Sequence, residues 1–156
     1  MMASAENIVK QVQNWPSGRA GELLAADGGL QVSVKIADSD RLGCLLEGLE
    51  MKGTGGLRLS LDPVRVEKEV TYLGEPLKIV ELEKYRGKAL LRSFPPRREK
   101  ETVLFLELTI DREEGLSLRR LAYDRSLGTR SPAPIPVTRD TLERLLADLL
   151  SWASTN

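Results

Sequence analysis

The stretch "TVLFLELTIDREEGLSLRRLAY", residues 102–123, decides the fold. Leu104, Leu106, Leu108 and Ile110 alternate with Phe105, Glu107 and Thr109, a period of two that belongs to a strand with one buried face. A Glu113-Glu114-Gly115 turn follows, and then a second apolar run, "GLSLRRLAY". Together they predict the strongest antiparallel hairpin of the chain.

Upstream, "GELLAADGGLQVSVKI" reads as two strands about an Asp27-Gly28-Gly29 turn, where glycine tolerates positive φ. Leu30, Val32, Val34 and Ile36 face one side, and Gln31, Ser33 and Lys35 the other. "RLGCLLEGLEM" fits a helix by leucine spacing. Gly43 and Gly48 would each cost about 1 kcal/mol there, so 42–51 is read as a strand. "KGTGG" is a hairpin loop into "LRLSL". At Asp62-Pro63 the apolar parity shifts to Val64, Val66, Val70 and Tyr72, which predicts a bulge or edge position, since proline cannot donate to a ladder. Further strands are expected at 77–83 and 88–94.

Helices are expected at the two ends. "SAENIVKQVQNW" offers Ser4 as a cap and puts Ile8, Val12 and Trp15 on one face, with Pro16 to Gly18 ending it. After a Pro-rich connector, 131–137, comes a helix with Leu142, Leu145, Leu146, Leu149, Leu150 and Trp152 on its apolar face. Asp140 with Glu143 has capping-box spacing, and Thr138 is a competing cap. The expected fold class is α+β: a single domain, 1–156, of a curved antiparallel sheet packed against both helices. Were the sheet to curl strongly, the last helix would sit in its concavity. Alternatively, the proline connector could be a hinge that lets this helix dock on another subunit, which leaves a homodimer open.

The chain of 156 residues can bury roughly 70% of the surface its unfolded form exposes, enough for a core without staples. Hydrophobic residues make up 41% and charged residues 29%, which opposes disorder. The 23 basic and 23 acidic residues cancel, which removes any global polyelectrolyte attraction to nucleic acid or membrane. The opening segment lacks the basic and apolar regions of a secretory signal, and no run approaches the length of a membrane span. Cys44 is the single cysteine, so a reducing, cytoplasmic setting is expected.

With no histidine in the chain, Ser-His-Asp and Cys-His catalysis, zincin sites and imidazole bases are all excluded. Asp38 with Asp40 and Glu67 with Glu69 fit turn or strand positions better than a metal site. The glycine-rich "KGTGGLR" and "ADGGLQ" lack the ending and the strand-to-helix context of a phosphate loop. Cys44, between Gly43 and Leu45, reads as a small hydrophobe. No Ser-x-x-Lys pattern occurs.

One local composition invites a function. "SFPPRREKE", residues 93–101, lies in a basic stretch where Lys84, Arg86, Lys88, Arg92, Arg97, Arg98 and Lys100 are accompanied only by Glu99. Read structurally, it is a hairpin tip between strands; read functionally, it is a docking loop built from Arg92, Phe94, Arg97, Arg98 and Lys100. Phe94 or Tyr85 would then be a stacking platform. With 4% aromatic residues and Glu99 and Glu101 in the loop, nucleic-acid contact is disfavoured.

The closing runs "LFLELTIDREEGLSLRRLAYDRS" and "RDTLERLLADLLSW" resemble the end of small α+β secretion-chaperone-like domains. The resemblance covers about a third of the chain and carries no diagnostic motif, so no residue role is taken from it. The leading expectation is a non-catalytic protein-binding adaptor or chaperone-like module, without cofactor or metal. The alternative is a carrier of a small apolar ligand held between the curved sheet and the last helix. An enzyme built on carboxylates, Tyr, Lys or Arg ranks third.

Overall fold

The hairpin at 102–123 forms as expected and lies near the middle of the sheet. In chain order the elements are α1 (Met2–Gln13), β1 (Gly21–Asp27), β2 (Leu30–Ser39), β3 (Gly43–Gly53), β4 (Leu59–Ser60), α2 (Pro63–Glu69), β5 (Leu77–Glu83) and β6 (Lys88–Ser93). Then follow β7 (Arg97–Glu99), β8 (Thr102–Asp111), β9 (Gly115–Asp124), β10 (Thr129–Ala133), β11 (Ile135–Thr138), α3 (Arg139–Trp152) and β12 (Ser154–Thr155). This computed structural model describes residues 2–156; the side chains of residues 2–5 and of Asp27 lie outside the description. α1 begins at Met2, so Ser4, expected as its cap, lies within the helix instead.

The main sheet is open, antiparallel and ten-stranded, with the order β1-β2-β3-β9-β8-β6-β5 and with β7, β10 and β11 added alongside β8, β9 and β3. Gly28 and Gly29 are the two loop residues of the β1–β2 hairpin, at φ +60° and +86°, the positive pair that suits the twist of a tight hairpin. Gly115 closes the β8–β9 hairpin at φ +97°, and a Cβ there would strike the carbonyl oxygen of Met51. Glycine is needed there for β9 to approach β3.

The alternation read from sequence holds. Val32, Val34, Leu46, Leu49, Met51, Leu91, Leu106, Leu108, Leu116 and Leu118 are buried on one face, where they meet Ile8 and Val12 of α1 and the leucines of α3. We call this the inner face. Cys44 belongs to this core, and burial pushes its thiol up, in keeping with the inert reading.

Three expectations give way, and the choice between two caps for α3 is settled. The Asp62-Pro63 break is a helix start, not a bulge: the Asp62 carboxylate accepts from Val64 N at 3.0 Å, and Pro63 takes the first helical position, where a missing N–H is harmless. Val66 and Val70, four apart, are buried as a helical pair, not a strand pair. "LRLSL" contributes only β4, which pairs with β12 and not with β3. The cap of α3 is Thr138, which accepts from Thr141 N at 3.0 Å; Asp140 lies inside the first turn.

The proline connector is the largest departure. β3 and β9 pair only from Leu49–Met51 to Leu116–Leu118 and then diverge. The chain from 129 to 138 fills the fork, β10 pairing with β9 from Asp124 to Arg120 and β11 with β3 from Leu46 to Gly43. Pro132, Pro134 and Pro136 are tolerated because this two-part strand needs ladder bonds on one side at a time.

Arg139 fastens the helices to the sheet. It is 9% exposed, and its guanidinium donates to the carbonyl oxygens of Val12 (3.1 Å), Trp15 (2.6 Å) and Asp40 (2.8 Å). The C-terminal carbonyls of α1, which have no intrahelical partner, thus meet a cation.

Candidate functional site

Paired residues in an antiparallel ladder share a face, so the register places every side chain of the outer face. Across the sheet, Lys78 (β5), Arg92 (β6), Glu107 (β8) and Arg119 (β9) form one row. Beside it, Phe105 lies opposite Leu121, and Leu121 opposite Pro132. A third row runs Arg98, Val103, Tyr123, Arg130. These rows carry five cations and one carboxylate.

Glu107 is nearly buried. Its Oε1 accepts from Arg119 at 2.8 Å and its Oε2 from Arg92 Nε at 3.1 Å. Burial alone would raise its pKa; the hydrogen bonds from Arg119 and Arg92 outweigh that and hold the carboxyl below its ordinary value. The guanidinium groups of Arg92 and Arg130 lie 5.6 and 5.9 Å from the Phe105 ring centre, within cation–π range. Leu121, 6% exposed, is absent from the main core and is sheltered on this outer face.

A folded-state pKa held low stabilises the fold above the unfolded carboxyl value of about 4.3 and is lost as pH falls through the lowered value. Glu107→Gln is therefore expected to flatten the loss of stability below about pH 4.3. Denaturant midpoints measured across that acid limb check this; an unchanged slope would show that Glu107 is not linked to folding.

The outer face is hollowed into an open trough of about 1070 Å³, on the side of the sheet away from α3. Arg92 and Arg130 mark a cationic end; elsewhere the carboxylates of Glu81, Glu83, Asp111, Glu113 and Glu114 are interspersed with Lys35, Lys52 and Lys88. Between α3 and the sheet, by contrast, Leu142, Leu145, Leu146 and Leu149 are at most 1% exposed. A crevice of about 420 Å³ with apolar walls lies instead between Leu59, Leu61 and Val64 on one side and Leu82, Ala89 and Ile110 on the other.

The five residues singled out in sequence do not converge on one face. Arg92 and Arg98 join the outer-face rows. Arg97 pairs opposite Leu104 on the inner parity and is bound to Glu99 at 3.0 Å. Lys100 occupies the turn between β7 and β8 at φ +55°. Phe94 is 66% exposed just past β6, and Tyr85 lies in the turn at the opposite end of that strand. The loop is a hairpin whose arginines diverge. Lys78, Arg119 and Arg130 were missed, although the 112–114 turn sets a register that puts Glu107 against Arg119.

The remaining candidate groups are engaged structurally. Asp40 accepts from Leu42 N and Gly43 N, which hold its carboxyl below the ordinary range, and Glu67 accepts from Ile79 N. Glu69 pairs with Arg65. The Tyr72 hydroxyl, pushed up by burial and by its bond to Asp148 at 2.8 Å, ties the segment after α2 to α3. Among the described residues no group of three His, Cys, Asp or Glu is placed to hold a metal, and no helix is long and apolar enough to cross a membrane. The chain matches no family model, no curated protein and no solved structure.

Proposed function

We propose that this is a non-catalytic binding module, adaptor-like or chaperone-like, that seats an acidic segment of a partner protein on the cationic end of the outer-face trough. The supporting observation is the excess of cations in these rows: Lys78 directly opposes Arg92, and Glu107, between Arg92 and Arg119, is the one carboxylate against Lys78, Arg92, Arg119, Arg98 and Arg130. Like charges placed opposite one another weaken a sheet by several tenths of a kcal/mol, so the Lys78–Arg92 opposition opposes folding even while Glu107 holds Arg92 and Arg119 in place. An anionic visitor relieves it. Phe105 and Tyr123 supply flat apolar surface between the cations, the pairing found at protein contacts.

A polyphosphate chain is the poorer fit, because beyond the cationic end the carboxylates lining the trough outnumber its lysines. The lone buried thiol of Cys44 supports a cytoplasmic setting for the interaction. A second copy of the chain is one such carrier of an acidic segment. A second reading, a carrier of a small apolar ligand, is favoured by the crevice between Leu61 and Leu82; native mass spectrometry of the purified chain tests it by a retained apolar adduct.

The binding reading is tested with a labelled oligoglutamate peptide and fluorescence anisotropy. Arg119→Glu with Arg130→Glu is expected to weaken binding by about tenfold or more. Arg98→Glu weakens it less, and Arg97→Glu leaves it unchanged because that side chain leaves the sheet on the other face. No binding by the wild type, or tighter binding of a single-stranded oligonucleotide of equal charge, overturns the reading.

A further inference from the structure

Across the sheet from the trough, a hollow of about 390 Å³ opens between the segment preceding β5 and the strands β8, β9 and β11. Leu73, Leu106 and Ile135 form its apolar walls, Glu75 and Arg120 its polar side, and Arg97 also lines it. Arg120 is 8% exposed, and one terminal nitrogen of its guanidinium donates to Glu75 Oε1 at 3.2 Å. The Nε of Arg120 and the Oε2 of Glu75 are both buried without a partner. Leaving such groups unmade costs about 1–3 kcal/mol each, so the pair is incomplete as it stands.

We infer that this hollow is a second binding site, and that it takes a neutral carboxamide. A carboxamide presents a carbonyl oxygen, which would accept from Arg120 Nε–H, beside an N–H that would donate to Glu75 Oε2. A carboxylate would satisfy the arginine but set a negative charge against Glu75. A cation would do the reverse. Asparagine and glutamine side chains of a protein and free primary amides share this chemistry. The site uses neither Arg92, Arg119 nor Arg130, so its failure and that of the acidic-segment reading are separable.

The test follows the Arg120 Nε–H resonance of the full chain by ¹H–¹⁵N NMR during titration with benzamide, benzoate, and N-acetylglutamine methylamide. The expected result is a saturable shift with benzamide and none with benzoate. A response to the glutamine derivative alone assigns the site to a protein side chain, and a response to both amides to the shared group. Glu75→Gln keeps the volume and the acceptor for Arg120 while replacing the free acceptor with a donor. It is expected to reverse the preference, favouring benzoate over benzamide by about tenfold. No response to any amide, which would leave the hollow to water, overturns the inference, as does an equal response to benzamide and benzoate. If the variant fails to fold, the wild-type comparison of the two benzenoid probes still decides.

Discussion

Arg139→Ala is expected to lower stability by about 3 kcal/mol, because the part-buried carbonyl oxygens of Trp15 and Asp40 lose a charged donor and the Val12 carbonyl loses one of its two donors. For a chain of this size that corresponds to a fall of about 6–12 °C in Tm. The damage should be local before it is global. α1 has 12 residues, too few to persist alone in water, and its hold on the fold includes Ile8, Val12 and the Arg139 bonds to Val12 O and Trp15 O. Hydrogen exchange of the α1 amides should therefore accelerate more than that of β8. Arg139→Lys is expected to recover part of the loss, since an ammonium cannot span the Trp15 and Asp40 carbonyls with the spread of a guanidinium. A change within about 0.5 kcal/mol for the alanine variant would mean that water replaces these bonds without penalty.

Leu142→Ala should be as severe or worse, at about 2–5 kcal/mol, because the side chain is fully buried in the core beneath the sheet. This variant separates two pictures of α3. If the helix is an integral wall of the core, the denaturant midpoint falls while the slope of the transition stays fixed. If instead α3 swung out on the proline segment to dock elsewhere, Leu142 would behave as a surface residue, with an effect within about 0.5 kcal/mol. The Thr138 cap, the fork-filling strand before α3 and the β12–β4 pair after it fix the helix at both ends. The first outcome follows from them.

Much of this architecture could be read in the chain because it depends on local repetition. The alternation of Leu104 to Ile110, or of Leu30 to Ile36, states which side of a strand is dry without reference to any partner. α2 escaped because its buried Val66 and the capping Val70 fit a strand parity as well as a helical spacing. The Asp-Pro start was the signal that separates them, and it was read as a strand defect. The fork between β3 and β9 depends on where two strands distant in sequence stop pairing, which no window of residues records.

The candidate surface divides in the same way. Arg92 and Arg98 stood out through local composition. Arg119 and Arg120 are adjacent in sequence yet leave β9 on opposite faces, one toward Glu107 and the other toward Glu75. Only the register distinguishes the exposed charge from the buried one. Arg139 carries no local signal, and its role becomes visible once α1 and the Asp40 turn are brought to it.

The filled fork also orders events during synthesis. Until residues 129 to 138 have emerged from the ribosome, the diverging halves of β3 and β9 have no strand between them, and Leu46 and Leu118 sit at the margin of an unfinished sheet. A nascent chain stalled before that point carries most of its strands but lacks the piece that joins them, and its unpaired backbone there is open to any passing extended segment.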